Sequence, residues 1–172
     1  MEKIYFTYQH IHKLVQKIVN DIHKAKFTFD CMVAIGTGGF IPARIFKTYI
    51  PKTIFTVGIQ YYDENNNPAE SPKKIQWIDE VERKLQGKRI LLVDEIDDSR
   101  TTLVFCLKEL LRHSPEQVAI AVIHNKRKKK NAEFPHDVLY FCGEDVENKW
   151  VEYPWSALDI DEHDRLASAA RV

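Results

Sequence analysis

The stretch from Arg89 to Leu103, R-I-L-L-V-D-E-I-D-D-S-R-T-T-L, constrains the fold more than any other part of the chain. Ile90 to Val93 form an unbroken apolar run of strand-forming residues. Such a run suits a strand covered on both faces of a parallel sheet. Four carboxylates follow at once, Asp94, Glu95, Asp97 and Asp98, and then four hydrogen-bond donors, Ser99, Arg100, Thr101 and Thr102. From Leu103 the period changes: Leu103, Cys106, Leu107, Leu110 and Leu111 share one helical face. The reading is strand, acidic turn, hydroxyl-rich loop, helix over Thr102 to Arg112. A helix start carries unpaired N–H groups and partial positive charge, so it can hold an anion. Carboxylates beside it point to a metal or to sugar hydroxyls near a phosphate. The competing reading is a solvated acidic loop with Thr-Thr as a helix cap. Open parallel sheets place their sites at the carboxyl ends of strands, where these acids fall.

The other segments extend the same pattern. Ile4 to Phe6 is a short extended start. Ile11, Leu14, Val15, Ile18, Val19 and Ile22 recur at helical spacing, which predicts an amphipathic helix over the sheet. His10, His12 and His23 are expected on its solvent side. Cys31 to Ile35 reads as a core strand, Gly36-Thr37-Gly38-Gly39 as a turn and Phe40 to Phe46 as a helix, an arrangement suited to phosphate. That turn has neither P-loop nor dinucleotide spacing. Thr53 to Tyr61 is extended, and 63–72 is polar, breaker-rich and predicted irregular. Ile75 to Leu85 reads as a weakly amphipathic helix. Gln117 to His124 and Val138 to Phe141 are further strands. The alternation predicts an α/β fold: an open, mainly parallel sheet flanked by helices.

Bulk properties exclude several classes of function. The chain has 172 residues, enough for one domain with a full core. Lys plus Arg and Asp plus Glu both number 25, so bulk charge does not call for nucleic acid. The basic run Lys126 to Lys130 leaves a nucleic-acid-binding module as an alternative. Cys31, Cys106 and Cys142 are scattered without metal-ligand spacing and read as free buried thiols. No apolar segment approaches membrane-spanning length and no signal-peptide core opens the chain, so a cytoplasmic location is expected.

Val93 to Leu103 resembles the signature loop of the type I phosphoribosyltransferases, which bind phosphoribosyl pyrophosphate (PRPP). Asp94 and Glu95 match the acidic pair, Asp98 the single Asp, and Ser99 and Thr102 the hydroxyl positions. Arg100 stands where the family usually has glycine, as in purine enzymes of the fungal type. Ile35 to Ala43 resembles the pyrophosphate loop of the purine enzymes, with Thr37 in place of a basic residue ahead of Gly38 and Gly39. In that family a peptide here is often cis, which points to Thr37-Gly38. Trp150-Val151-Glu152-Tyr153-Pro154-Trp155 resembles a stretch of bacterial xanthine-guanine phosphoribosyltransferases, with Ser156 where they have Asp.

The resemblance implies a phosphoribosyltransferase domain over 1–156, with a C-terminal base-binding hood at 136–156 and a tail at 157–172. It implies transfer of 5-phosphoribosyl from PRPP to a 6-oxopurine, releasing pyrophosphate, with hypoxanthine favoured and guanine or xanthine possible. Asp98 would be the acid–base group. Asp94 and Glu95 would face the ribose, with Mg²⁺ held through substrate rather than by a dedicated protein site. Asp98, Ser99, Arg100, Thr101 and Thr102 would form the 5-phosphate loop, the Arg100 side chain pointing outward. Thr37, Gly38 and Gly39 would take pyrophosphate. Lys126, Trp150, Val151 and Ser156 would bind the base, and Tyr61 and Tyr62 would flank a lid. A homodimer is implied, with no nucleic-acid or membrane partner. The alternative on the same fold is a non-catalytic protein that senses PRPP or a nucleotide.

Overall fold

The computed structural model describes residues 2–62 and 67–169. Its elements run β1 (Lys3–Tyr5), α1 (Tyr8–Lys24), β2 (Cys31–Gly36), α2 (Phe40–Tyr49), β3 (Thr53–Tyr62), β4 (Pro68–Gln76), α3 (Val81–Leu85), β5 (Arg89–Asp97), α4 (Thr101–Leu111), β6 (Gln117–Lys126), β7 (Tyr140–Val146), β8 (Trp150–Glu152), a 3₁₀ turn (Pro154–Ser156) and α5 (Ile160–Ala169). Six strands form one sheet in the order β4-β3-β2-β5-β6-β7, and β1 pairs with β8 in a separate parallel pair. All neighbours in the large sheet are parallel except β3 and β4.

Each central strand is apolar on both faces, and the two faces fill two cores. Met32, Ala34, Leu91, Val93, Ala119 and Ala121 pack on one side with Ile11, Val15, Ile18 and Ile22 of α1 and Phe46 of α2. Val33, Ile35, Ile90, Leu92, Ile120 and Val122 pack on the other with Leu103, Cys106, Leu107 and Leu110 of α4. All six apolar residues of the α1 stripe are buried. Thr7 caps that helix, accepting from the His10 amide at 3.2 Å.

Several local expectations are corrected. β5 does not stop at Val93: it stays paired with β6 to Asp97, opposite Asn125, so three of the acids stand on a strand rather than in a turn. Residues 68–76 are not irregular, and no helix covers 75–80; that chain forms β4, paired antiparallel with β3 across two register shifts. Pro68 and Pro72 fit because β4 is the sheet edge, where a missing N–H can face solvent. Lys74 of β4 reaches Glu109 of α4 at 2.7 Å, so tertiary pairing overrides weak local propensity. The lid expected at 63–72 is thus partly a strand, and its tip at 63–66 lies outside the described residues, as does the Tyr62 side chain. β7 begins at Tyr140, not Val138, and runs to Val146. The stretch set apart as a tail carries α5, whose His163 and Ala167 are buried. His163 Nε2 lies 2.9 Å from the Phe6 carbonyl, beside β1.

The β2–α2 turn lies against β5 through Gly39. A Cβ on Gly39 would meet the Val93 carbonyl oxygen at 2.5 Å and the Ile35 carbonyl oxygen at 2.8 Å. Both are strand backbone and cannot step aside. Gly39→Ala should therefore lower unfolding free energy by about 1–3 kcal/mol, the range for overpacking, read from the urea midpoint. A midpoint equal to that of the parent would show that the turn can move away from β5.

Candidate active site

The carboxyl ends of β2 and β5 and the N-terminus of α4 open onto a cavity of about 640 Å³. Three short segments line most of it: Ile35 to Gly38, Asp94 to Ile96, and Asp98 to Arg100 with Thr102 and Leu103. Lys126 and Lys128 from the end of β6, and Asn148 to Trp150 from the hood, close the far side. Ten of the residues singled out in the sequence are brought together here: Thr37, Gly38, Asp94, Glu95, Asp98, Ser99, Arg100, Thr102, Lys126 and Trp150. Gly39, Tyr61, Thr101, Val151 and Ser156 do not line it. Gly39 is buried behind the turn and Ser156 is exposed in the 3₁₀ turn. Val151 pairs with Ile4 in the β1–β8 pair.

The loop before α4 explains the unusual arginine. Arg100 has φ 69° and ψ −3°, the left-handed region where glycine is at ease. Its side chain does not point outward, as expected from sequence. Nε and Nη2 donate to Asp97 Oδ2 at 3.0 and 2.8 Å. The guanidinium lies 4.3 Å from the Phe134 ring centre. The Tyr140 hydroxyl donates to the same Asp97 oxygen at 3.1 Å. Asp97 is fully buried, so its charge needs these partners. Arg100 thereby compensates the left-handed backbone, and the start of α4 borders the cavity through Thr102 and Leu103. The first amides of α4 have no partner inside the helix.

The basic run folds inward at alternate positions. Lys126 Nζ is 3.2 Å from Asp98 Oδ2, and Lys128 Nζ is 2.6 Å from Asp98 Oδ1. Burial works against the Asp98 carboxylate, but the two ammonium groups outweigh it and hold its pKa below the usual range. Lys130 donates to the carbonyls of Asp97, Asp98 and Lys126 at 2.6, 2.9 and 3.0 Å. It thus ties the end of β5 to the end of β6. Only Arg127 and Lys129 of the run remain turned away from these contacts and exposed.

The acidic pair is gripped from the hood. Trp155 Nε1 donates to Glu95 Oε2 at 2.9 Å, and the Tyr153 hydroxyl donates to the Glu95 carbonyl at 3.1 Å. The two rings stack at 4.5 Å and 6°. Burial pushes the Glu95 carboxyl up to about 7, against the Trp155 hydrogen bond. Burial also raises Asp94 well above the usual carboxylate range, and the neighbouring Glu95 charge adds to it. Gly38 is pressed against Glu95: a Cβ there would lie 2.4 Å from Glu95 Cδ. The cis peptide of this turn is Gly36-Thr37, one bond before the position the sequence pointed to.

The model of the phosphoribosyl transferase domain matches residues 2–158. This chain belongs to the phosphoribosyltransferase family. Hypoxanthine-guanine phosphoribosyltransferase of Schizosaccharomyces pombe is 39% identical, over 94% of this chain and 93% of that one. Xanthine phosphoribosyltransferase 1 of Saccharomyces cerevisiae is 34% identical, over 98% and 96%. The crystal structure of a hypothetical protein from Neisseria gonorrhoeae with bound ppGpp superposes at TM-score 0.92, with 47% identity over 99% of this chain and 98% of that one. A purine phosphoribosyltransferase from Pyrococcus horikoshii shares the fold at TM-score 0.71 and 20% identity, over 92% and 97%.

Sequence reasoning about this phosphoribosyltransferase passed over four residues at the site. Lys130 was hidden in a charge run, and two of its three carbonyl contacts lie more than thirty positions back in sequence. Asp97 reads like its acidic neighbours although it is turned into the protein. Tyr153 and Trp155 belong to an aromatic cluster visible in the sequence, but nothing in that cluster names Glu95 as their partner.

Lys130 is the most informative of the four. Burial lowers its pKa, and Asp97 opposes that shift. Lys130→Met keeps the stem and removes the donor, leaving carbonyls at the β5 end unpaired. The variant should lose about 2 kcal/mol of stability, the scale for unpaired buried acceptors, read by urea unfolding. Unchanged stability would mean that water replaces the ammonium group.

Proposed function

We propose that the protein transfers the 5-phosphoribosyl group of PRPP to a 6-oxopurine, releasing pyrophosphate and a purine nucleotide. The observation that carries this reading is the layout of the cavity. An anion-ready helix start stands at one end, a glycine turn beside it, and a buried lysine with an aromatic ring at the other. Lys126 is 7% exposed, and its Nζ lies 5.9 Å from the centre of the Trp150 ring. A fixed ammonium donor suits a 6-oxo group and rejects a 6-amino group. Trp150 would cover the base, with the Val151 backbone behind it.

In this reading Ser99, Thr102 and the first α4 amides take the 5-phosphate, with Thr101 holding the Ser99 hydroxyl at 3.0 Å, and Thr37 and Gly38 take the pyrophosphate. Asp94 and Glu95 accept from the ribose hydroxyls. Their hard oxygen donors at the cavity wall fit Mg²⁺ held mostly through substrate oxygens. When bound, the cation neutralises charge on the pyrophosphate. The bond from the ribose anomeric carbon to the pyrophosphate oxygen breaks, a carbon–nitrogen bond to the base forms, and the displaced base proton passes to Asp98. Between two lysines Asp98 stays ionised, so it is always open to the base N–H as a hydrogen-bond acceptor, while its lowered pKa makes it a weak base that passes the proton on to solvent. Catalysis rests on positioning and on charges fixed before the reaction. The family expectation of a cytoplasmic homodimer belongs to the same reading. Among the described residues no helix is long and apolar enough to cross a membrane. The nucleic-acid alternative is weakened because Lys126, Lys128 and Lys130 are already engaged at the site.

A second reading draws on the Neisseria gonorrhoeae structure with bound ppGpp. A guanine nucleotide with pyrophosphate groups carries the same chemical parts as substrate and product together. In that reading ppGpp occupies the cavity and opposes PRPP.

Pyrophosphate release is the deciding measurement, with PRPP, magnesium and each of four bases. Hypoxanthine should be used best, guanine and xanthine less well, and adenine poorest. Adenine at or above hypoxanthine would remove Lys126 from base recognition. PRPP binding without release for any base would replace the transferase reading with a sensor. Added ppGpp should raise the apparent KM for PRPP without lowering kcat.

The position of Glu95 adds a pH dependence. A carboxyl near 7 is largely protonated at pH 6 and accepts poorly from ribose hydroxyls. PRPP affinity should rise between pH 6 and 8, by about tenfold for a one-unit shift on binding. Since PRPP itself titrates, Glu95→Gln is the control, and its profile should be flatter. Identical profiles for both proteins would show that Glu95 does not change charge on binding.

A further inference from the structure

Away from the cavity, three side chains from three elements converge on the α1 side of the sheet. His10 comes from α1, His124 from β6 and Glu144 from β7. His10 Nε2 and His124 Nε2 lie 2.8 and 3.2 Å from the same atom, Glu144 Oε1. The three donor atoms all fall within 4.8 Å of one another. None of these residues lines the substrate cavity. His10 was expected on the solvent face of its helix. Instead it is half-buried and stacks on Phe6 at 5.2 Å.

The neighbours of His124 are compatible with a cation at this junction. The Tyr153 hydroxyl stands 3.1 Å from the Glu95 carbonyl and 2.8 Å from His124 Nδ1. With its proton on the Glu95 carbonyl, the hydroxyl accepts from Nδ1–H, and His124 Nε2 presents a lone pair towards Glu144 Oε1, 3.2 Å away. His10 Nε2 approaches the same oxygen at 2.8 Å. Two imidazole nitrogens and a carboxylate oxygen at these spacings can close around one metal ion.

We propose that His10, His124 and Glu144 form a binding site for a late first-row divalent cation, with zinc the best match. Two imidazole nitrogens and one carboxylate oxygen are a donor set for zinc, cobalt or nickel rather than magnesium. The ligands stand on packed elements. The His10 and Glu144 side chains are 21% and 34% exposed, which leaves a side for entry and for a fourth ligand from water. Tyr153 is the outer partner that orients the buried histidine, as acceptors behind metal-bound imidazoles commonly do. Because Tyr153 also holds Glu95, the cation would brace the hood against the acidic pair.

Metal alone tests this, without substrate, so the outcome is independent of the transferase reading. Chelator-treated full-length protein is titrated with Zn²⁺ by calorimetry, and with Co²⁺ by visible absorption. One site of micromolar or tighter affinity is expected, with Co²⁺ bands of tetrahedral intensity. Glu144→Gln and His10→Ala should each weaken it by roughly tenfold or more, in proteins whose circular dichroism matches the parent. His12→Ala, exposed on the same helix, should leave it unchanged. Absence of saturable binding, or binding that survives the combined loss of His10 and Glu144, would overturn the assignment.

Discussion

Asp97 is a carboxylate with no exposure at the end of a central strand, and the site is arranged around holding it there. A buried charge is costly unless its partners are close and well aligned. Arg100, Tyr140 and Lys130 answer that demand from three directions. Each partner is then committed to a place. Arg100 must turn back over its own loop, which sets the left-handed residue before α4. Lys130 must come inward, and from there its ammonium reaches the carbonyls that end β5 and β6. The start of α4 takes its position at the cavity as a consequence of how the charge beneath it is neutralised.

The second organising relation is between the hood and the acidic pair. Glu95 is held at its carbonyl by Tyr153 and at its carboxyl by Trp155, so the hood and the end of β5 are mechanically joined. Asp98 is set at the same time by Lys126 at the end of β6 and Lys128 just after it. The two acid groups therefore sit in opposite electrostatic conditions. One is raised by burial and the other is lowered by ammonium neighbours.

Much of this was legible in the sequence because it is local. The apolar run before Asp94, the glycine turn after Ile35 and the periodic stripe of α1 each announce their element within a few residues. The parallel α/β sheet follows from their alternation, and Asp94, Glu95, Asp98, Ser99 and Thr102 from a contiguous motif. What escaped depends on partners distant in the chain. β4 has little strand propensity of its own and exists by pairing with β3. His10 lies on the polar side of its helix by periodicity, yet Glu144 draws it in. The Arg100 side chain could not be placed without knowing that Asp97 was buried.

The hood joins the most widely separated parts of the described chain. β1 meets β8 through contacts such as Lys3 to Glu152, 149 positions apart, and α5 packs against the same strand. Closing so long a loop is entropically costly, and only three residues on each side share the pairing. The central sheet has no such dependence, since its inner strands β3, β2, β5 and β6 are each paired along both edges. Opening of the hood is therefore a smaller event than unfolding of the sheet. In the proposed reading a base or nucleotide held under Trp150 would leave by that opening, while the start of α4 stays intact.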